Sequence, residues 1–231
     1  MKDLSGNKNY RYLDLITGLF VAVLLISNIA STKIIGLWRF TFDGGTILFP
    51  LSYIFGDILT EVYGYRQSRR VIWIGFFCAL LMSLTLLVIG LMKPAAGWDL
   101  QEEYMAILGQ TPRIITASLV AYFAGEFSNS YILAKLKVRT KGRWLALRTI
   151  GSTVIGQGID TVIFVMIAFW GVYDPGLVGL IILSNYIFKV ALESAFTPVT
   201  YKVVGALKRA ENVDHYDKKT DFNPFKFSAR D

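Results

Sequence analysis

The chain has 231 residues, of which 54% are hydrophobic and only 18% charged, and its formal net charge is +7. A soluble domain carries about a quarter of its residues as Asp, Glu, Lys or Arg; here the charges are scarce and clustered between long apolar tracts, which excludes an ordinary water-soluble fold. The positive balance does not point to nucleic acid, because the basic residues sit in short segments between those tracts, with no basic strip interleaved with exposed aromatics.

A bilayer core of about 30 Å is crossed by about 20 residues of helix, and six stretches qualify. The first covers residues 15–35. It is long and lacks a small-residue cleavage site, so it reads as a retained spanning helix rather than a cleaved signal peptide. Its only charge is Lys33, near one end, where a long side chain can snorkel to the headgroups.

The second stretch, residues 46–62, reads TILFPLSYIFGDILTEV. It is short, with Pro50 in its first turns and Asp57 and Glu61 further on. Pro50 argues against a central strand, and lipid disfavours open sheet edges. A short or interrupted helix beside a cavity is expected.

Residues 71–91, VIWIGFFCALLMSLTLLVIGL, hold no charge at all and make the clearest span. The sole cysteine, Cys78, lies within it as a small packing residue, and its solitude excludes an internal disulfide or a cysteine-based metal cluster. The fourth span covers residues 113–133 with Glu126, and the fifth residues 149–170 with Asp160. The sixth covers residues 177–204 with Lys189, Glu193 and Pro198, the proline marking a kink or a late break.

Charge between the spans sets the topology. The N-terminal segment, the link with Arg66, Arg69 and Arg70, the link from Lys135 to Arg148, and the tail hold 19 of the 24 basic residues. The alternate links, with Arg39, Lys93 and Arg113, are richer in acids. This positive-inside alternation puts both termini in the cytoplasm. Residues 1–210 are therefore expected to form an all-α, six-helix transmembrane domain. Residues 211–231 form a polar cytoplasmic tail, expected to be poorly ordered, with His215 as a solvated residue rather than a metal ligand.

An ionised side chain at mid-membrane costs about 2.5–3.5 kcal/mol on insertion scales, so Asp57, Glu61, Glu126, Asp160, Lys189 and Glu193 should face the bundle interior. Their spacing agrees. Asp57 and Glu61 are four apart, Glu126 and Asn129 three, Gln157 and Asp160 three, and Asn185, Lys189 and Glu193 form one stripe at i, i+4, i+8. Lys33, Glu61 and Glu193 suit a gate or an ion pair. The small pairs Ala121/Gly125 and Ser152/Gly156 let backbones approach. Tyr53, Phe55, Tyr63, Phe127, Tyr131 and Tyr186 could stack on a planar solute. Carboxylates, carboxamides and rings together suit a flat compound with several N–H donors. The same carboxylates could serve a proton or another cation.

The segments NIASTKIIG (residues 28–36) and FPLSYIFGDILTEVYGYRQSRRVIW (residues 49–73) resemble the queuosine precursor transporter family, also described as a vitamin uptake transporter family. GDILTEVYG is the most specific piece, and the resemblance covers nearly the whole chain. More remotely, the six-helix layout resembles the substrate-binding membrane component of energy-coupling-factor importers. The resemblance implies uptake of 7-cyano-7-deazaguanine or a related 7-deazapurine across a bacterial inner membrane. It points at Asn28, Lys33, Asp57 and Glu61, with Glu126, Asn129, Gln157, Asp160, Asn185, Lys189 and Glu193 fitting the general pattern. Glu126 or Asp160 would read the N–H/NH₂ edge of the base. Another vitamin-like or nucleobase solute is the alternative cargo. An enzyme would need a nucleophile–base pair or a metal set, and no spanning stretch supplies one. No cofactor is implied, and the absence of a GxxxxGK[ST] loop argues against ATP hydrolysis. Facilitated diffusion, proton coupling and a separate partner subunit stay open as energy sources, as does a homodimer.

Overall fold

The computed structural model describes residues 10–30, 32–37, 40–109, 112–171, 174–217 and 220–225. Lys2 and Lys8 of the N-terminal basic segment, Arg39 of the first outer link, and Lys218, Lys219, Lys226 and Arg230 of the tail lie outside them. Among the described residues seven α-helices follow in order: α1 (Leu13–Ala30), α2 (Phe49–Tyr63), α3 (Tyr65–Leu91), α4 (Gln101–Ile107), α5 (Pro112–Arg139), α6 (Leu145–Phe169) and α7 (Pro175–Glu211). The first expected span ends five residues early. In its place an antiparallel hairpin of β1 (Ile34–Leu37) and β2 (Phe40–Asp43) pairs Ile34 with Asp43 and Leu37 with Phe40. Among the described residues the regular structure is thus helical apart from this hairpin, and Lys33 lies in the bend before it rather than in a helix.

A 3₁₀ turn, Gly44–Ile47, leads into α2. Pro50 sits at the start of α2, where its missing N–H costs no helical bond, so of the short or interrupted helix expected here the short, continuous form is found. Gly64 alone separates α2 from α3. Its φ of 86° with ψ of 163° is a conformation that side-chain-bearing residues rarely adopt. The link expected around Arg66, Arg69 and Arg70 is therefore the opening of α3.

Among the described residues, five helices are long and apolar enough to cross a membrane: Leu13–Ala30, Gly44–Tyr63, Tyr65–Leu91, Leu145–Ala168 and Val178–Glu211. Helix α5 is as long, at 28 residues, but carries charges in its second half. Helix α7 has 37 residues and continues through Pro198. At 1.5 Å per residue it reaches roughly 55 Å, far beyond a bilayer core.

The pattern of burial is inverted relative to a soluble protein. Phe77 is 64% exposed, Leu84 50% and Leu180 62%, whereas Asp57, Glu126, Asn129, Gln157 and Asp160 are buried. Helix α2 runs through the middle, packed against α1, α3, α5 and α7. Helix α5 packs along α6 with unusual closeness, because a Cβ at Gly156 would lie 2.8 Å from Asn129 Cβ and 3.0 Å from the Gly125 carbonyl oxygen. Gly125 and Gly156, flagged by their spacing, are the crossing point.

The starts of α1, α3 and α6 and the ends of α2, α5 and α7 meet at one basic end. Glu211 accepts hydrogen bonds there from the backbone N–H groups of Arg11 (2.9 Å) and Tyr12 (2.6 Å), bringing the two ends of the helical chain together.

Candidate functional site

Four helices deliver the interior polar groups by simple periodicity. Helix α2 places Tyr53, Asp57 and Glu61 on successive turns, α5 adds Tyr122, Glu126 and Asn129, and α6 adds Thr153, Gln157 and Asp160. Helix α7 contributes Lys189 and Glu193. Asn129 Nδ2 donates to Asp57 Oδ1 at 2.8 Å, and Gln157 Nε2 donates to Glu193 Oε2 at 3.1 Å. Thr153 donates to the other Glu193 oxygen. Lys189 Nζ pairs with Asp160 Oδ2 at 2.8 Å and lies 4.8 Å from the Phe49 ring centroid.

Thus direct bonds join these residues as three pairs, Asp57 with Asn129, Gln157 with Glu193, and Asp160 with Lys189. Glu126 joins them by proximity: its carboxyl group lies against Gly56, the residue next to Asp57. Ser130 Oγ lies 3.5 Å from its Oε1. Within this array Asp57, Glu126, Asp160 and Glu193 share a single ammonium. Protons or the N–H donors of a solute must supply the remaining compensation, because uncompensated buried charge is costly.

A cavity of about 30 Å³ opens beside the Asp160–Lys189 pair, lined also by Thr46, Phe49, Ser118 and Phe164. That is room for about two waters, far below the roughly 300–1,000 Å³ of a typical ligand site.

Two expected residues stand apart. Half-buried Asn28 donates its side-chain N–H to the Leu24 carbonyl of its own helix at 2.9 Å. Exposed Lys33 takes part in none of the ion pairs among the described residues. Asn185 is half-buried one turn before Lys189.

Of the aromatics expected to stack on a solute, Tyr53 alone is tied to the array. Tyr63 donates to Glu211 at 3.1 Å, Tyr186 to the Val154 carbonyl at 3.1 Å, and Tyr131 meets Phe222 edge-on. Phe49 and Phe164 line the cavity instead. Sequence reading passed over them because they sit in apolar runs where a ring has no distinguishing mark.

Glu61 belongs to a second cluster, at the basic end. It is fully buried and its Oε1 receives Arg148 Nη2 at 2.9 Å and Lys208 Nζ at 2.8 Å, with Lys137 Nζ at 3.5 Å. These ion pairs sit at the junction of α2, α5, α6 and α7, with Glu61 buried and Lys208 reaching partly outward. Asp214 of the tail bridges Lys137 (2.9 Å) and Lys208 (2.8 Å). Burial pushes the Asp214 carboxyl up, but the Lys208 and Lys137 ammoniums outweigh it and hold it below the usual carboxylate range.

The described tail is therefore not loose. Asp217 accepts from the Tyr65 backbone N–H at 3.0 Å and from Thr220 at 2.7 Å. Burial raises the Asp217 carboxyl, yet these bonds and His215, 3.5 Å away, leave it below the usual range. Arg69 donates to the carbonyls of Asp221 (3.0 Å) and Asn223 (2.6 Å), and Trp73 Nε1 to that of Pro224 (2.8 Å). Phe222 lies against Tyr65 and under Lys135. The composition of the tail is that of a disordered segment, but the exposed helix ends beneath it offer a partner for each of these groups. His215 is correspondingly an edge residue of this strap, and among the described residues no cluster of His, Cys, Asp and Glu could hold a metal.

Residues 43–203 match the family described as "Putative vitamin uptake transporter". The "Probable queuosine precursor transporter" of Bacillus subtilis (strain 168) is 29% identical over 188 residues, 80% of this chain and 82% of that protein. The "Queuosine precursor transporter" of Escherichia coli (strain K12) is 27% identical over 207 residues, 88% of this chain and 91% of that protein. A "Probable queuosine precursor transporter" of Haemophilus influenzae is 27% identical over 131 residues, 57% of this chain and 53% of that protein. No solved structure matches the chain significantly.

Proposed function

The chain belongs to the vitamin uptake transporter family, and from that premise and the chemistry of the buried array we propose that it imports a queuosine precursor, 7-cyano-7-deazaguanine or a related 7-deazapurine. The observation that carries the reading is the buried set of carboxyls and carboxamides around one ammonium, beside a cavity with a ring at its edge. A 7-deazaguanine offers a ring N–H next to an exocyclic amine, which suits a carboxylate bidentately. It also has a carbonyl that Lys189 could address and a flat face that suits Phe49. The names of the bacterial relatives support the same cargo.

In this reading six helices span a bacterial inner membrane, α5 being the sixth, and both termini face the cytoplasm. The clustering of Arg69, Lys137, Arg148 and Lys208 at one end supports that orientation. The small cavity then corresponds to a closed state. The Glu61 cluster and the docked tail form the cytoplasmic seal beneath the array, and the cavity beside Asp160 and Lys189 lies at the opposite end of α2, next to Thr46 and Phe49. Alternating access requires the helices around the array to shift between two packings.

Uptake of labelled 7-cyano-7-deazaguanine in cells that rely on salvage tests this directly, with competition by purines, other deazapurines and vitamins. Saturable uptake blocked by deazapurines and lost in Asp160→Ala is expected. Uptake unaffected by deleting the protein would rule the reading out.

A further inference from the structure

The crossing of α5 and α6 carries the same short pattern twice: Gly125-Glu126-x-x-Asn129 on one helix and Gly156-Gln157-x-x-Asp160 on the other. Each glycine is followed at once by a long acceptor and, four positions on, by a short one. The two helices touch at these glycines. A Cβ at Gly125 would lie 2.7 Å from Asp160 Cβ, and one at Gly156 would lie 2.8 Å from Asn129 Cβ. The four side chains therefore flank a single crossing.

Each of the four also keeps one buried oxygen with no hydrogen-bond partner among the described residues: Glu126 Oε2, Asn129 Oδ1, Gln157 Oε1 and Asp160 Oδ1. Such oxygens are rare inside proteins and call for an explanation. For the two carboxamides, the partner on the other side explains their orientation. Ionised, Asp57 and Glu193 only accept, so each faces an amide nitrogen, at 2.8 and 3.1 Å. The opposite end of each amide is then necessarily oxygen. Thr153 fixes the second Glu193 oxygen, which stiffens that arrangement.

We infer that these four oxygens form one acceptor face that selects a planar solute by its N–H donors, with Asp57 and Glu193 acting as positioning residues that turn Asn129 and Gln157 oxygen-inward. The inference rests on the deazapurine reading and assigns the edge chemistry of the same site. It moves Asp57 from direct contact, and Glu193 from a gate or ion pair, to a supporting role. It also explains why the array holds two carboxamides among its acids: they add acceptors without adding charge.

The test is equilibrium binding to purified full-length protein of 7-deazaguanine and of 7-deazahypoxanthine, which lacks the exocyclic amine, and of N9-methyl-7-deazaguanine, which lacks the pyrrole-ring N–H. Wild type should prefer 7-deazaguanine over either analogue by on the order of 10- to 100-fold, as expected for a lost hydrogen bond to a charged or buried acceptor. In the near-isosteric variants Asp57→Asn and Glu193→Gln, the amides can turn over, and that preference should shrink to about threefold or less. A purely structural role would weaken all three ligands alike and leave the ratio intact. An unchanged ratio in both variants overturns the positioning role. Wild type that binds all three equally overturns the acceptor face without recourse to any variant. Folded wild type that binds none of them defeats the deazapurine reading itself, and this inference with it.

Discussion

Gly56 lies directly beneath the Glu126 carboxylate: a Cβ at that position would overlap Oε1 and crowd Cδ, which would be only 2.8 Å away. The first glycine of the GDILTEVYG segment is thus a seat for an acid 70 positions later. Replacing Gly56 with Ala favours the helix locally by up to about 1 kcal/mol, yet it must push Glu126 out of place. Gly56→Ala is expected to leave expression normal and reduce uptake at least about tenfold, measured as labelled precursor accumulated by salvage-dependent cells. Wild-type uptake would show that the position of Glu126 does not matter.

The Asp160–Lys189 pair links α6 to α7 with both side chains almost sealed from solvent. Removing one partner of a buried pair strands the other, a loss of about 3–5 kcal/mol. Lys189→Met and Asp160→Asn should each lower the unfolding temperature in detergent, while the double variant should recover part of it. Uptake should stay lost in all three. Strict additivity of the two stability losses would mean that the pair is not coupled.

The interior polar stripe was legible because lipid reverses the usual rule: in a membrane helix, a charged residue marks the inside. Asp57, Glu126, Asp160 and Lys189 were found on that ground alone. Helix ends were less legible. Hydropathy registers the bilayer, whereas α3 starts six residues before its charge-free run and α5 continues six residues beyond residue 133. The basic end was read only as charge. Lys137, Arg148 and Lys208 entered as a count of cations, and nothing local reveals that they converge on Glu61 from 76, 87 and 147 positions away. The docked tail was missed for the same reason, its partners being distant in sequence.

The Asp214 and Asp217 carboxylates that fasten the strap should keep their charge across the physiological range. The Asp214 and Asp217 carboxyls lie below their ordinary value when docked. Their contribution is therefore complete above the undocked value of about 3.9 and is lost only as pH falls through the lower docked value. Limited proteolysis of the purified protein should show the tail equally protected from pH 8 to pH 5 and released near or below pH 3. Release already at pH 6 would contradict the assignment of these carboxyls as the fastening groups.

The α5–α6 crossing makes a prediction about stability. Gly156→Ala would set a methyl 2.8 Å from Asn129 Cβ, with only backbone and a Cβ on the far side to yield. Overpacking of this kind costs about 1–3 kcal/mol. Thermal unfolding in detergent should register the loss, whereas Gly18→Ala, where nothing lies within 4 Å, should be neutral or slightly stabilising.

Gly64, the one residue between α2 and α3, has a mechanical consequence. Adjacent Cα atoms are held 3.8 Å apart, so α2 has no slack in which to slide along the membrane normal without drawing α3 after it. The two helices form a lever with its pivot at the basic face: one arm carries Asp57 and Glu61, the other carries Arg69, which grips the strap. Any displacement of the acids is transmitted to that grip through a single joint.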